Sequence, residues 1–309
     1  MKWILGFSVL AVVLGMAATM TIPAQTITPD EAVLRLFPRE TDGVAFIDAA
    51  SLRSAPLYDE TVAAQFKARI PPELAQFAEA TGFAIDRDLD RVTIGRFGAR
   101  QLVAVAHARY DRFKVEQYLN DKQIQTETYL GRVIFHPRGE GGISFIDDLV
   151  IAGQTDAVKK VIDRLAAPAE SALQNPDIVN AIRTIEAGSH VWGVGAFDQS
   201  LLGIHRGLPP QVGEFIKALK SGTYQMRLDS GVHAVATGQF ADSESARAAG
   251  NLLRGLVAVA KFQVSRQPDM IQLLDGVQVQ QSGLSMTVNF NASGDSLKKL
   301  QALRRPAAE

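Results

Sequence analysis

The chain has 309 residues, 47% of them apolar and 21% charged, with 32 Lys+Arg against 33 Asp+Glu and no cysteine. Such values exclude a collagen-like or low-complexity disordered chain, and the missing thiols exclude a disulfide-stapled miniprotein, thiol catalysis, cysteine-based zinc sites and lipoprotein anchoring through an N-terminal cysteine. A net charge of −1 gives no global electrostatic drive towards nucleic acid, and no nucleic-acid partner is expected.

The strongest signal is at the N-terminus. Lys2 precedes an apolar run from Trp3 to Met20, and no charged residue follows until Asp30. A positive residue ahead of such a run is what an export machinery reads. Residues 1–24 are therefore a signal anchor or a signal peptide. Gly15-Met16-Ala17 and Ile22-Pro23-Ala24 offer small-x-small cleavage sites, while the uncharged stretch exceeds the roughly 20 residues of a spanning helix. Both fates stay open: an inner-membrane anchor holding a periplasmic module, or a soluble periplasmic protein after cleavage.

Residues 25–39 read as a connector with a short helix. A strand follows at Val44–Ile47, ending at Asp48, then a helix with Tyr58, Val62, Phe66 and Ile70 every four residues, and another from Pro71-Pro72 through Phe77. Val92–Phe97 and Leu102–Ala108 pair around Gly98-Ala99-Arg100. Asp111 caps a helix carrying Val115, Tyr118 and Leu119. Four short strands lie around Thr126–Leu130, Val133–His136, Ile143–Ile146 and Leu149–Ala152. Thr155 is expected to cap a helix with Val158, Val161, Ile162 and Leu165 on one face, and Asn175-Pro176 opens a connecting helix.

From Val191 the order starts again. Val191–Phe197 is a strand ending at Asp198, Pro209-Pro210 opens a helix through Leu219, and Thr223–Leu228 pairs with Val232–Phe240. Asp242 caps a long helix, Val277–Gln280 and Leu284–Phe290 form a hairpin, and Leu297, Leu300 and Leu303 line a closing helix. The expected fold is α+β: two pseudo-equivalent halves, at 40–172 and 173–309, each a largely antiparallel sheet with helices on one face.

Motifs with chemistry are few. Asp86-Arg87-Asp88-Leu89-Asp90 begins like a calcium loop, but Arg91 and Phe97 stand where its Gly and Glu belong, so it reads as a charged turn feeding a strand. The histidines His107, His136, His190, His205 and His233 form no metal-ligand spacing. No nucleophile elbow or phosphate loop occurs; Gly193-Val194-Gly195 lacks the third glycine, and Gly139, Gly141 and Gly142 belong to a hairpin turn. Arg247, Arg254 and Lys261 fall seven apart on one helix face, which reads as solvated or as a contact for lipid head groups or an acidic partner. Asp48 and Asp198 close corresponding strands and read as helix caps. No catalytic, cofactor-binding or metal-binding residue is assigned.

Val44-Ala45-Phe46-Ile47-Asp48 with Ser51-Leu52-Arg53-Ser54-Ala55-Pro56, then Thr81-Gly82-Phe83 with Asp86-Arg87-Asp88-Leu89-Asp90-Arg91-Val92 and the Tyr129-Leu130-Gly131 turn, resemble an uncharacterised family of exported bacterial proteins. The resemblance covers roughly 40–165 and implies a duplicated α+β envelope protein with no assigned activity; it supplies no catalytic residues. The resulting expectation is a non-enzymatic envelope protein, without cofactor, that binds a protein, lipid or cell-wall partner and meets the membrane through its N-terminal helix. The alternatives are a periplasmic hydrolase with a dispersed carboxylate/His site and a hydrophobic-ligand carrier.

Overall fold

The computed structural model describes residues 31–59, 63, 72–98, 101–137, 139–197 and 217–304. The leader at 1–24, nearly all of the helix expected over 58–70, Asp198, His205 and most of the helix expected over 209–219 lie outside the described residues. The described chain is α+β and divides into two compact units, one ending at Thr184 and one beginning at Ile185.

In the N-terminal unit the elements run α1 (Glu31–Leu34), β1 (Thr41–Asp48), α2 (Ala49–Ser54), α3 (Pro72–Thr81), α4 (Ile85–Asp88), β2 (Leu89–Phe97) and β3 (Gln101–Ala108). Then come α5 (Arg112–Asp121), β4 (Gln125–Tyr129), β5 (Arg132–His136), β6 (Gly141–Ile146), β7 (Leu149–Gln154), α6 (Thr155–Ala166) and α7 (Pro176–Ile182). Short polar side chains start several helices by accepting from the free N–H groups of the first turn. Asp48 accepts from Ser51 N, Asp111 from Lys114 N, and Asn175 from Asp177 N. Thr155 departs from expectation. It is the first helical residue, and its hydroxyl donates to the Glu140 carbonyl at 2.8 Å, tying the helix start to the strand before it.

The strands are antiparallel in the order β1-β2-β3-β7-β6-β5-β4. Directly opposed residues share a face, so the register sets out two rows across the sheet. Phe46, Thr93, Val105, Ile151 and Ser144 form one, and all are buried. That face packs against α6, whose Val158, Val161 and Ile162 are buried, and against Phe37, whose ring lies on Gly95 where a side chain would collide with it. Ala45, Ile94, Ala104, Ala152, Ile143 and Phe135 form the other row. Its far end is covered: Val115 and Leu119 of α5 pack with Phe135, Phe145, Ile143 and Val150, and Phe77 of α3 joins through edge-on contacts with Phe83 and Tyr118.

Helices thus lie on both faces of this sheet, where one face was expected. The cause is the composition of β3, β6 and β7, which carry apolar residues at successive positions and need cover on both sides. The chain also divides later than at 172/173. Asn175 donates to the carbonyls of Arg39 and Thr41, and α7 packs on β1, so this helix belongs to the N-terminal unit.

The C-terminal unit contains β8 (Val191–Ala196), β9 (Leu219–Leu228), β10 (Gly231–Phe240), α8 (Ser243–Gln263), α9 (Pro268–Asp275), β11 (Val277–Ser282), β12 (Ser285–Ser293) and α10 (Gly294–Arg304). Leu219, expected to end a helix, begins β9 and is buried opposite Phe240. The order is β8-β9-β10-β12-β11, again antiparallel. β12 alternates strictly: Met286, Val288, Phe290 and Ala292 face the core while Thr287, Asn289 and Asn291 face away. The core joins these residues to Ala234, Ala236 and Phe240 under Ala246, Ala249, Leu253 and Val257 of α8. Each fully buried Val, Leu, Met or Phe there contributes about 1.5–3 kcal/mol. Strand for strand, β8-β9-β10-β12-β11 repeats the order β1-β2-β3-β7-β6, with β5-β4 added at the end of the first series.

Candidate functional site

Where the cover from α5 ends, the second row of the N-terminal sheet is left half-exposed and forms an open groove of about 390 Å³. Its floor is Ile94, Leu102, Ala104 and Ala152, and Gly141, Gly153 and Gln154 stand at its rim. The small side chains make the depression: alanines on β3 and β7 stand where β-branched residues would fill the surface. Among the described residues no titratable side chain lines it. Gln154, the one polar side chain among the described lining residues, is engaged, since its Oε1 accepts from Leu102 N at 2.7 Å. The described lining is apolar apart from Gln154 and is open to solvent.

The titratable groups are elsewhere, each tied into local structure. In the Asp86–Asp90 run, where a short helix ending at Asp88 leads straight into β2, Asp88 accepts from Ala84 N at 2.8 Å and pairs with Arg87. The Arg87 hydrogen bond holds the Asp88 carboxyl below the usual range. Asp90 pairs with Arg53 at 3.1 Å and Arg109 at 3.3 Å. Three arginines therefore occupy two of the run's three carboxylates, and no group of three or more His, Asp or Glu among the described residues could hold a metal.

The histidines are distributed in the same way. His107 Nδ1 lies 2.8 Å from Asp148 Oδ2, and that hydrogen bond holds the Asp148 carboxyl low. His136 Nδ1 lies 3.1 Å from the Gly141 carbonyl oxygen, with Glu127 at 3.7 Å from its other nitrogen. His190 Nδ1 accepts from Leu228 N. His233 Nδ1 lies 2.5 Å from Asn291 Oδ1, with Glu186 at 3.5 Å from Nε2. None of these residues lines the groove.

The remaining motifs also resolve into packing. Gly193 faces the Tyr224 ring, which a side chain would strike. Of the three spaced cations on α8, Arg254 donates to the Val279 carbonyl and to Asn251, and Lys261 pairs with Asp275 at 2.6 Å. Asp48 is the cap that was expected, and Asp198 is not among the described residues. The groove residues carry no motif. Their only trace in the sequence is the run of small side chains in Leu102-Val103-Ala104-Val105-Ala106 and Ile151-Ala152-Gly153.

No family model matches the sequence, and no curated protein matches it. Among solved structures, crystal form I of TP0453 is similar, with a TM-score of 0.51 at 10% identity over 90% of this chain and 98% of that one. The likeness is one of fold, and it spans both units.

Proposed function

We propose that the protein is a non-enzymatic exported envelope protein that binds the apolar part of a lipid in the groove of its N-terminal unit. The observation that carries this reading is the groove itself: apolar on its floor, about 390 Å³ in volume, and without a titratable side chain among the described residues. Ligand sites of about 300–1,000 Å³ are mostly apolar with few polar groups, and among the described residues this one has the Gln154 side chain alone. The apolar run from Trp3 to Met20 supports export to the envelope, where acyl chains are abundant. The matching strand orders of the two units support an origin by internal duplication, with the β4–β5 hairpin as an addition to the first copy.

The test is binding of a fluorescent acyl-chain probe to the wild type and to Ala104→Trp and Ala152→Phe, which fill the groove from its floor. Both variants should lose binding by about tenfold or more, the scale of one displaced apolar contact set. Undiminished binding in folded variants would overturn the reading, and loss of a protein partner without any acyl binding would replace the lipid with an apolar peptide. Export is tested separately by the intact mass of native protein in membrane and soluble envelope fractions. Full-length mass in the membrane fraction means an anchor, a shortened mass in the soluble fraction a cleaved signal, and a full-length soluble cytoplasmic protein contradicts export.

A further inference from the structure

β4, an outer strand of the N-terminal sheet, and β11, an outer strand of the C-terminal sheet, are finished differently. On β11, Asn291 N donates to the Gly276 carbonyl, which fixes the phase of the ladder and leaves Val277, Val279 and Gln281 with outward backbone groups. Arg254 closes that edge by donating to the Val279 carbonyl at 3.1 Å while Asn251 holds its other nitrogen. Covering an edge with a long cation blocks strand addition.

β4 has no such guard. Leu130 and Gly131 have φ of 47° and 74°, the pair of positive values of a two-residue hairpin turn, so Tyr129 and Arg132 form a bonded pair and so do Glu127 with Ile134 and Gln125 with His136. The N–H and C=O groups of Thr126 and Thr128 point away from the sheet. Both residues are exposed, and neither group meets a partner among the described residues. The strand has no proline, and its one charge, Glu127, is neutralised by Lys159 at 2.7 Å.

We infer that β4 pairs antiparallel with β4 of a second copy of this chain about a two-fold axis through Glu127. In that register Thr126 stands opposite Thr128 of the second copy, and the two symmetric pairs satisfy the outward groups with four backbone hydrogen bonds. The facing threonines form stabilising cross-strand pairs. Leu130, 60% exposed, comes to the position opposite Ile124 of the second copy, whose side chain is only partly buried. The two Glu127 carboxylates meet across the axis with two Lys159 ammonium groups beside them, so the centre is charge-balanced. A heterologous peptide would meet the backbone equally well, but the Leu130–Ile124 match and the paired threonines follow from self-pairing alone. The contact is at the small end of specific interfaces, below about 1,200 Å², so dimerisation is concentration-dependent.

The absence of cysteine makes the test direct. In this register residue 127 faces itself in a non-bonded pair with Cα atoms about 4.5 Å apart, within disulfide range. Full-length Glu127→Cys in detergent should oxidise to a covalent dimer, and Gln280→Cys on the guarded β11 edge should not. Adding Thr128→Pro to Glu127→Cys removes an outward N–H, a loss an edge strand tolerates, and should lower the dimer yield by about tenfold. Sedimentation of the wild type should show a monomer–dimer equilibrium. A wild type that stays monomeric at all concentrations overturns the inference whatever the variants do, as do equal cross-linking at 127 and 280 or cross-linking of residue 127 to a different protein.

Discussion

Asn175 shows how much one side chain can decide. Its Oδ1 accepts from the first turn of α7, while its Nδ2 donates to the carbonyls of Arg39 and Thr41. Asn175→Ala removes the cap and both links to β1, and should lower stability by about 2 kcal/mol in urea unfolding, the upper end of cap losses. An unchanged midpoint would show that the links contribute nothing. The carboxyls of Asp88 and Asp148 give a pH prediction. Hydrogen bonds from Arg87 and His107 hold them below their ordinary values. Their stabilisation is complete above the unfolded-chain value of about 3.9 and is lost as pH falls through the lower folded values. Asp148→Asn should therefore flatten part of the fall in the urea midpoint between about pH 5 and pH 2, and leave the midpoint changed by less at pH 3 than at pH 7. Caps such as Asp111, Asn175 and Asp242 were legible in the sequence because a cap is an interaction over three residues. The partners of Asp148 and Asp90 were not, since His107 and Arg53 come from strands and helices far along the chain.

At the scale of elements, the sheet faces carry the argument. Phe37 lies on Gly95, and the pair seals one face of the N-terminal sheet. Gly95→Val forces the ring outwards and should cost about 1–3 kcal/mol, and Phe37→Ala leaves a cavity costing about 3–5 kcal/mol, both read by thermal or urea denaturation. If Gly95→Val were neutral, the ring would not be packed there. Element type was readable from period and turns, because Asp229-Ser230-Gly231 and Gly131 interrupt alternating runs. The groove was not readable. It exists because Ile94, Ala104 and Ala152 come level across three strands, and a register that brings β7 beside β3 from far along the chain leaves no local pattern.

For the whole molecule, the prediction concerns where the N-terminal unit ends. A chain ending at Thr184 retains α7, Asn175 and the buried Ile178 and Ile182, and should unfold cooperatively. One ending at Ala172 uncovers β1 and should melt at lower temperature or without cooperativity. Equal melting of the two would place the boundary at 172. The sequence carried the α+β class, yet it put this boundary one helix early, because Pro176 opens a helix without telling which unit that helix packs against. The central claim is that the groove takes an acyl chain, and native mass spectrometry of protein purified from the cell envelope tests it most directly. The account predicts a co-purifying lipid mass on the wild type that is absent from Ala104→Trp. A wild type that carries no lipid, or a variant that carries the same one, would contradict it.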